Sequence, residues 1–444
     1  MNTEAMSLQD FRGMLREMSV EIPGRDLTDE DRVRRAKKAF TQKLNGHRAV
    51  DMDTCLQCGM CAEACHFYEA TQDERYAPVY KFRPLRRFYR REMSPMRWFY
   101  RPFTRDITVE DLKEWRHLVY DACTGCGRCD MICPMGIKIS AAIRVVRHGL
   151  AAAGYVPDEM RVIRNEQRDQ NTLFGVGAEQ LKALVAKIGA QGVDIPLDRE
   201  QADVMLLTTA VEVLLFPDAL AASARILNKA GVDWTIRSDA FEAANVGIIT
   251  GDDPTMALAI RRIVDKAKAC SIKTVLMPES GHAYQTMRWE GATELGEALP
   301  FEVLSMPEFI SAEIQAGRLN LEARSNGASV TYHDPCRLSR KGGVMQQPRD
   351  VLAALGLDVR ETRANQRENY CCGGGCGEFV LCGAADLRQK AFEIKKREFD
   401  ETGADKVVTG CANCRINLMI GADNAGWETP VTSFVETVAD RLAN

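Results

Sequence analysis

Two stretches decide how this chain is built: CLQCGMCAEAC at residues 55–65 and CTGCGRCDMICP at residues 123–134. Both read Cys-x2-Cys-x2-Cys-x3-Cys. Three thiolates on one tight loop can grip three corners of an iron–sulfur cube. The fourth must reach the remaining corner from another segment of chain. On that geometry Cys55, Cys58, Cys61 and Cys133 hold one cubane [4Fe-4S] cluster, and Cys123, Cys126, Cys129 and Cys65 hold a second. Gly59, Gly125 and Gly127 permit the tight turns and let backbone amides approach sulfur. Zinc also uses Cys-x2-Cys pairs, but two full copies of the longer spacing argue against it.

The spacing is that of a two-cluster ferredoxin, but 57 residues separate Cys65 from Cys123, more than a minimal ferredoxin carries. Helices are expected near Asp29–Leu44, over 107–120, and from 140 to 149, with Ser140 as a possible cap. The elaborated module is therefore expected to be helical. The whole chain has 444 residues and 16 cysteines: four at 55–65, four at 123–133, seven from Cys336 to Cys414, and Cys270 alone. Such clustering in so long a chain reads as ligands, not as a disulfide framework. The net charge of -4 does not suit a general nucleic-acid binder. No run of 18 apolar residues exists, and residues 1–10 lack the pattern of a secretory leader, so neither a span nor a leader is expected.

Beyond residue 200 the texture becomes α/β. Short apolar strands are read at 203–208, 234–237, 245–250 and 273–277, between helices at 218–230 and 254–269. The rhythm returns with strands at 329–333, 359–361 and 406–409 and helices at 349–355 and 384–398. This alternation predicts parallel sheets. The two halves align as divergent copies: 204–210 on 330–336, 245–248 on 369–372, and 273–278 on 406–411. A shared α/β rhythm without common descent is the alternative. The predicted division is an N-terminal extension (1–50), a helical ferredoxin-like domain (51–150), a helical linker (151–200), and α/β domains at 201–325 and 326–444. The first α/β domain has no cluster-type cysteines.

In the last domain Cys336 precedes the adjacent pair Cys371-Cys372, the glycine run 373–375, and Cys411-x2-Cys414. Neighbouring thiols with long separations on either side can reach several irons of an extended cluster. This pattern resembles the cysteine-rich CCG domain of the heterodisulfide reductase family. The resemblance implies a noncubane [4Fe-4S] cluster held by Cys336, Cys371, Cys372, Cys411 and Cys414, three [4Fe-4S] clusters in all, and two related CCG-type domains of which the first is degenerate. The order of modules looks most like the DsrK, TmcB and HdrD type of catalytic subunit. That likeness implies a disulfide or trisulfide oxidoreductase of sulfur metabolism. Its electrons would pass to or from an integral membrane subunit linked to quinone or haem, through further electron-transfer subunits. A small DsrC-like sulfur carrier would be the substrate. The chain would lie in the cytoplasm, attached to the inner face of the membrane through that partner. The alternative within the family is an iron–sulfur electron-transfer subunit of a glycolate, lactate or glycerol-3-phosphate dehydrogenase complex. No glycine-rich dinucleotide fingerprint follows the strand at 203, so no nucleotide cofactor is expected.

Other residues have weaker claims. His333, three before Cys336, is a candidate proton donor to a leaving thiolate, or else a hydrogen-bonding strand end. His282 lies beside the place where the first copy lost its Cys-x2-Cys and is a candidate for lining a cleft. His66 is expected to tune a cubane by a hydrogen bond. Arg415 is a candidate for offsetting cluster charge. Cys376 reads as spare ligand, redox thiol or packed side chain; Cys382 and Cys270 read as core. Residues 80–105, YKFRPLRRFYRREMSPMRWFYRPFTR, carry nine Lys or Arg against one Glu, with eight aromatics. They suit an arm wrapped on the ferredoxin module, an anionic membrane or acidic membrane subunit, or stacked nucleic acid. The adjacent clusters favour the membrane-side partner, and no nucleic acid is expected.

Overall fold

The computed structural model describes residues 5–17, 27–44, 46–323 and 328–443. Its N-terminal part is helical for local reasons. Thr28 accepts the Asp31 N–H at 3.2 Å and starts the helix Asp29–Lys43, whose first three residues are acidic. Phe40 on this helix meets Trp115 and Phe88, and it lies over Gly149, where a Cβ would fall 2.0 Å from the ring. Gly149 thus allows the helices Asp29–Lys43 and Ile139–Ala152 to pack directly. Thr108 and Asp111 form a capping box that opens Val109–Arg116. The Asp111 carboxylate also accepts from Arg87 and Arg105, which hold it below the usual carboxylate range against the effect of burial.

The expected extension and linker are not separate pieces. The helix Leu8–Glu17 packs Phe11 on Phe174 and Phe379, and Arg12 reaches Asp423 near the C-terminus. In the expected linker, buried Gln167 of helix Asp158–Gln170 bonds Ala244 O and Val246 N–H, and Leu197 bridges to Ile236. That stretch therefore belongs to the first α/β unit. The predicted boundary between 325 and 326 lies outside the described residues. Ser140 does not cap its helix, which starts one residue earlier at Ile139. Its N–H and hydroxyl both bond Asp130.

Two four-stranded parallel sheets follow. The first contains β1 (Val204–Leu206), β2 (Trp234–Thr235), β3 (Thr274–Met277) and β4 (Glu302–Ser305), in the order β2-β1-β3-β4. The second contains β5 (Ser329–His333), β6 (Asp358–Val359), β7 (Lys406–Thr409) and β8 (Val431–Ser433), in the order β6-β5-β7-β8. The two orders are the same. The central strands are apolar and buried, as parallel strands covered on both faces should be. Short edge strands β4 and β8 escaped the sequence reading. Residues 245–250, read as a strand, are the helix Val246–Thr250. The apolar, β-branched run is ambiguous by periodicity. The Asn245 side chain, capping Ile248 N–H, and Gly251 at φ +82° decide it for helix. Register also corrects the third alignment by one residue. Val204 faces Thr274 while Val330 faces Lys406, so Thr274, not Lys273, is the counterpart of Lys406.

Three glutamates are buried in the first unit, and one of them, Glu279, reaches across to the second. Glu242 accepts the N–H groups of Ala210 and Ala244, Glu212 accepts that of Glu279, and Glu279 accepts that of Val435. Burial pushes Glu212 up to about 7, and Glu242 and Glu279 up to about 8. Unfolded glutamates titrate near about 4.3. These three glutamates therefore hold more protons in the folded chain than in the unfolded one from there to about pH 8, and their contribution to stability falls as pH rises through their folded values. Buried His148, pushed down to about 4, opposes them below the ordinary histidine range. Between about pH 7 and about 8 the thermal midpoint of the anaerobic protein should drop, and Glu242→Gln should flatten the drop. An equal slope in the variant would count against this assignment.

Candidate metal centre

The first cysteine group sits on a loop held from behind by a buried arginine. Arg86 donates to Met52 O and Cys55 O, both at 2.8 Å. Gly59 at φ +83° turns the loop. Cys55 and Cys61 are buried, Cys133 is half-buried and Cys58 is exposed. Cys55 and Cys133 lie close enough for burial and then mutual repulsion to raise the Cys61 thiol to about 11. Leu56, Met60 and Met135, around this group in sequence, are exposed.

The second group lines a cavity. Cys65, Cys123, Cys126 and Cys129 face it together with Lys81 and His66. Lys81 is fully buried: its ammonium donates to Ala122 O and lies 3.7 Å from Cys65 Sγ. Arg147, also buried, donates to Val119 O, to Cys123 O at 2.7 Å and to Ile249 O at 2.7 Å. Burial alone would raise the Cys126 thiol, but the His66 hydrogen bond and the Arg340 charge bring it down to about 5. His66, expected to tune a cubane, lines this cavity together with Cys126 and Cys65.

The third group gathers beyond the C-terminal ends of β5 and β7. Cys336, Cys371, Cys372, Cys411 and Cys414 are each at most 6% exposed. Cys336 Sγ lies 4.0 Å from Cys371 Sγ. The N–H groups of Gly373 and Gly374 point at Cys371 and Cys372 sulfur, each at 3.5 Å, and Gly373 has φ +94°. Hydrogen bonds from Cys371 and Cys414 bring Cys372 down to about 6, and a bond from Cys414 brings Cys411 to about 7. The Cys371 contact and burial push Cys336, and the contacts with Cys372 and Cys411 push Cys414, well above the usual thiol range. Alone, five such thiols cannot all ionise; a cationic group that takes them as thiolates removes the conflict. His333 gives a second sign of fit. It is fully buried, and neither ring nitrogen has a hydrogen-bond partner. One ring nitrogen, Cys372 Sγ and Cys414 Sγ lie within 4.8 Å of one another. An iron–sulfur group suits all three cysteine sets.

A polar network fixes the third group from behind. Arg349 holds the buried Asp334 carboxylate at 2.9 and 2.8 Å. Asn369 donates to Asp334 O and accepts from fully buried Lys395, which also pairs with Glu398. Asp334 and Asn369 each stand two residues before a cysteine of the group.

Second and third groups touch. Arg340 donates to Cys126 O at 3.1 Å, to Arg367 O at 2.6 Å and to Asn369 O. A Cβ on Gly375 would lie 2.9 Å from Thr124 O; one on Gly125, at φ +58°, would lie 2.7 Å from Cys376 Sγ. Only glycine at both positions lets loops 123–126 and 371–376 approach this closely. Cys376 itself is buried against Gly125 and bonded to Arg337. Arg337, Arg147 and Lys341 lower its thiol although burial would raise it.

The remaining expectations divide. His282 is half-buried and held by Asn245, Ser280 and Asn413, the last of which lies within the C-terminal Cys-x2-Cys. Burial, then Arg337, pushes its pKa down to about 3. Arg415 does not serve a cluster. It pairs bidentately with Glu436 and lies 4.2 Å over the Phe216 ring. Cys270 is core, whereas Cys382 is only half-buried. The basic stretch is partly a buried arm: helix Pro78–Glu92 buries Lys81, Phe82, Leu85, Arg86, Phe88 and Tyr89. Sequence reasoning missed Arg86, Arg147, Arg340 and Lys395. Position between cysteines was the available signal for Lys81 and Arg86; the others meet their partners only through the fold.

A family model described as a 4Fe-4S dicluster domain matches residues 54–138, and one described as a cysteine-rich domain, CCG, matches residues 330–419. A dihydromethanophenazine:CoB–CoM heterodisulfide reductase polypeptide of Methanosarcina mazei is 29% identical, over 90% of this chain and 97% of its own length. The probable membrane-anchored ferredoxin of Chromohalobacter salexigens is 28% identical, over 96% of this chain and 65% of its own. The Hdr-like menaquinol oxidoreductase iron–sulfur subunit 2 of Archaeoglobus fulgidus is 25% identical, over 84% and 76%.

Replacing Gly375 by valine should force loops 123–126 and 371–376 apart, at a cost of about 1–3 kcal/mol. Iron content should survive while electron passage between the second and third sites slows, read by freeze-quench paramagnetic resonance. Wild-type passage rates would mean that this contact does not set the distance.

Proposed function

We propose, from the premise that this chain belongs to the heterodisulfide reductase-like iron–sulfur family, that it is the disulfide-cleaving subunit of a membrane-linked electron-transfer complex. Five buried thiols with an orphaned histidine, seated directly against Cys126 of the ferredoxin-type loops, carry this reading. The substrate is a disulfide or trisulfide, on a small molecule or on a DsrC-like carrier protein. Cleavage of a disulfide consumes two electrons and two protons and releases two thiols. A cluster held there by Cys336, Cys371, Cys372, Cys411 and Cys414 would supply those electrons one at a time.

The cofactor assignment is three [4Fe-4S] clusters. Cys55, Cys58, Cys61 and Cys133 hold a cubane near the surface; Cys123, Cys126, Cys129 and Cys65 hold an inner cubane. Cys336, Cys371, Cys372, Cys411 and Cys414 hold a noncubane cluster. Exposure of Cys58 makes the first site the electron port, and the closeness of Cys126 to Cys336 and Cys371 makes the second the relay. Lys81, Arg147 and Arg340 keep positive charge beside the relay, which favours electron arrival there. His333 has a positioning role: its ring, beside Cys372 and Cys414, would donate an N–H to a group held there, which would favour that group's reduced state. With no exposed atoms, it is not a route for protons from solvent. The first α/β unit is a copy of the CCG domain without cluster-type cysteines. Carrying its register forward from Thr274 sets Glu279 and His282 at the positions of Cys411 and Cys414. Its task is to close over the C-terminal site, through Glu279 O on Ala412 N–H and through His282 on Asn413.

A membrane-linked redox partner is supported by the menaquinol oxidoreductase and membrane-anchored ferredoxin relatives. Among the described residues no helix is long and apolar enough to cross a membrane. We assign the partner as an integral quinone- or haem-linked subunit, with this chain on its cytoplasmic side.

Anaerobic protein should contain about twelve irons. Cys372→Ser should lower that to about eight, keep both cubane signals and abolish reoxidation of the reduced chain by disulfide. Retention of disulfide-driven reoxidation in this variant would remove the C-terminal site from the chemistry. Replacing His333 by leucine should shift only the C-terminal cluster to lower potential in a redox titration. An unmoved potential would sink the role given to its N–H.

A further inference from the structure

After Ser94 the basic aromatic stretch turns inside out. Met96 (49%), Trp98 (74%), Phe99 (48%) and Phe103 (80%) are exposed together, in contrast to the buried rings of the preceding helix. The rings touch: Phe99 lies 6.0 Å from Trp98 and 5.8 Å from Phe103, centroid to centroid. They form one apolar cap. Arg97 and Arg101 are exposed on its rim, and residues 93–105 contain no acid. The cap is fastened from below. Arg91 donates to Arg101 O and Thr104 O, Thr104 donates to Tyr100 O, and the Arg90 guanidinium lies 5.0 Å over the Tyr100 ring. Contiguous exposed aromatics on a braced segment mark an interaction surface.

We propose that residues 96–105 insert into an anionic lipid bilayer, with Trp98, Phe99 and Phe103 entering the headgroup–acyl boundary and Arg97 and Arg101 meeting lipid phosphates. Two features favour lipid over a protein partner. Trp98 and Phe103 each keep about three quarters or more of their surface free and project from a convex segment. Fluid hydrocarbon closes around projecting rings without a preformed pocket. The rim is of one sign, complementary to anionic headgroups, and Trp, Phe and Arg together are the composition of an interfacial anchor. The helix that carries the cap also holds the first cysteine loop, through Arg86 on Cys55 O and Tyr89 on Asp53. Insertion therefore brings exposed Cys58 toward the membrane. The inference deepens the membrane-linked reading, yet its test needs neither partner nor turnover.

The test is flotation of the anaerobic holoprotein with vesicles of phosphatidylcholine alone, or of equal parts phosphatidylcholine and phosphatidylglycerol. Wild type should float with the anionic vesicles and bind the neutral ones about tenfold more weakly or worse. Trp98→Ser with Phe103→Ser should abolish flotation at unchanged iron content. Arg97→Gln with Arg101→Gln should weaken it and reduce its salt sensitivity. Wild type that stays with the soluble fraction on both vesicles, or a Trp98→Ser/Phe103→Ser variant that floats as well, would overturn the proposal. So would retention on native membranes but not on lipid alone, which would assign the cap to a protein partner. Loss of disulfide-driven reoxidation with flotation intact would strike the proposed function and leave this inference standing.

Discussion

Electron passage falls steeply with distance, so the close contact of loops 123–126 and 371–376 is the constraint that the rest of the molecule serves. The two loops lie far apart in sequence and belong to differently built domains. Neither can approach the other with a side chain at Gly125 or Gly375. Arg340, reaching Cys126 O and Asn369 O from beside Cys336, ties the contact from a third segment. Packing elsewhere keeps this junction closed: Gly149 lets the helical layer close on itself, and the N-terminal helix Leu8–Glu17 binds across to the last domain.

A second constraint is charge. Thiolates gathered in a low dielectric need positive charge, and a buried cation without partners is costly. This chain answers with cations that donate mainly to backbone carbonyls near the cysteines. Lys81, Arg86, Arg147 and Arg340 all do so. Each satisfies its donors while leaving its charge uncancelled by a carboxylate, which suits a neighbouring anionic group. Farther from sulfur the pattern changes. Arg349 and Lys395 meet Asp334, Glu361 and Glu398, where the task is to fix loop geometry.

The first α/β unit shows what the same sheet order holds without a cysteine group. Its sheet keeps the strand order of the second sheet. Glu212, Glu242 and Glu279 now fill the space near the strand ends and satisfy backbone N–H groups there. Buried carboxyl groups stand there, and the unit walls the C-terminal site through Glu279 O on Ala412 N–H. His282 and Glu279 belong to that wall, each bonded to a residue of the C-terminal Cys-x2-Cys loop.

Cysteine spacing made the ferredoxin-type loops and the five C-terminal thiols legible, because ligand geometry restricts sequence separation on a tight loop. Most strands and helices were legible too, since periodicity is local. Residues 245–250 misled because an apolar β-branched run carries no period of its own, and only Asn245 and Gly251 marked it as a helix. Arg415 misled because proximity in sequence to Cys414 says nothing of direction; its side chain turns to Glu436. The amino-acid sequence by itself determined which residues can ligate and the order of the modules. Tertiary structure alone decided which cysteine group is exposed, which lies against the next, and which half of the basic stretch is buried, because those depend on side chains brought together from segments hundreds of residues apart.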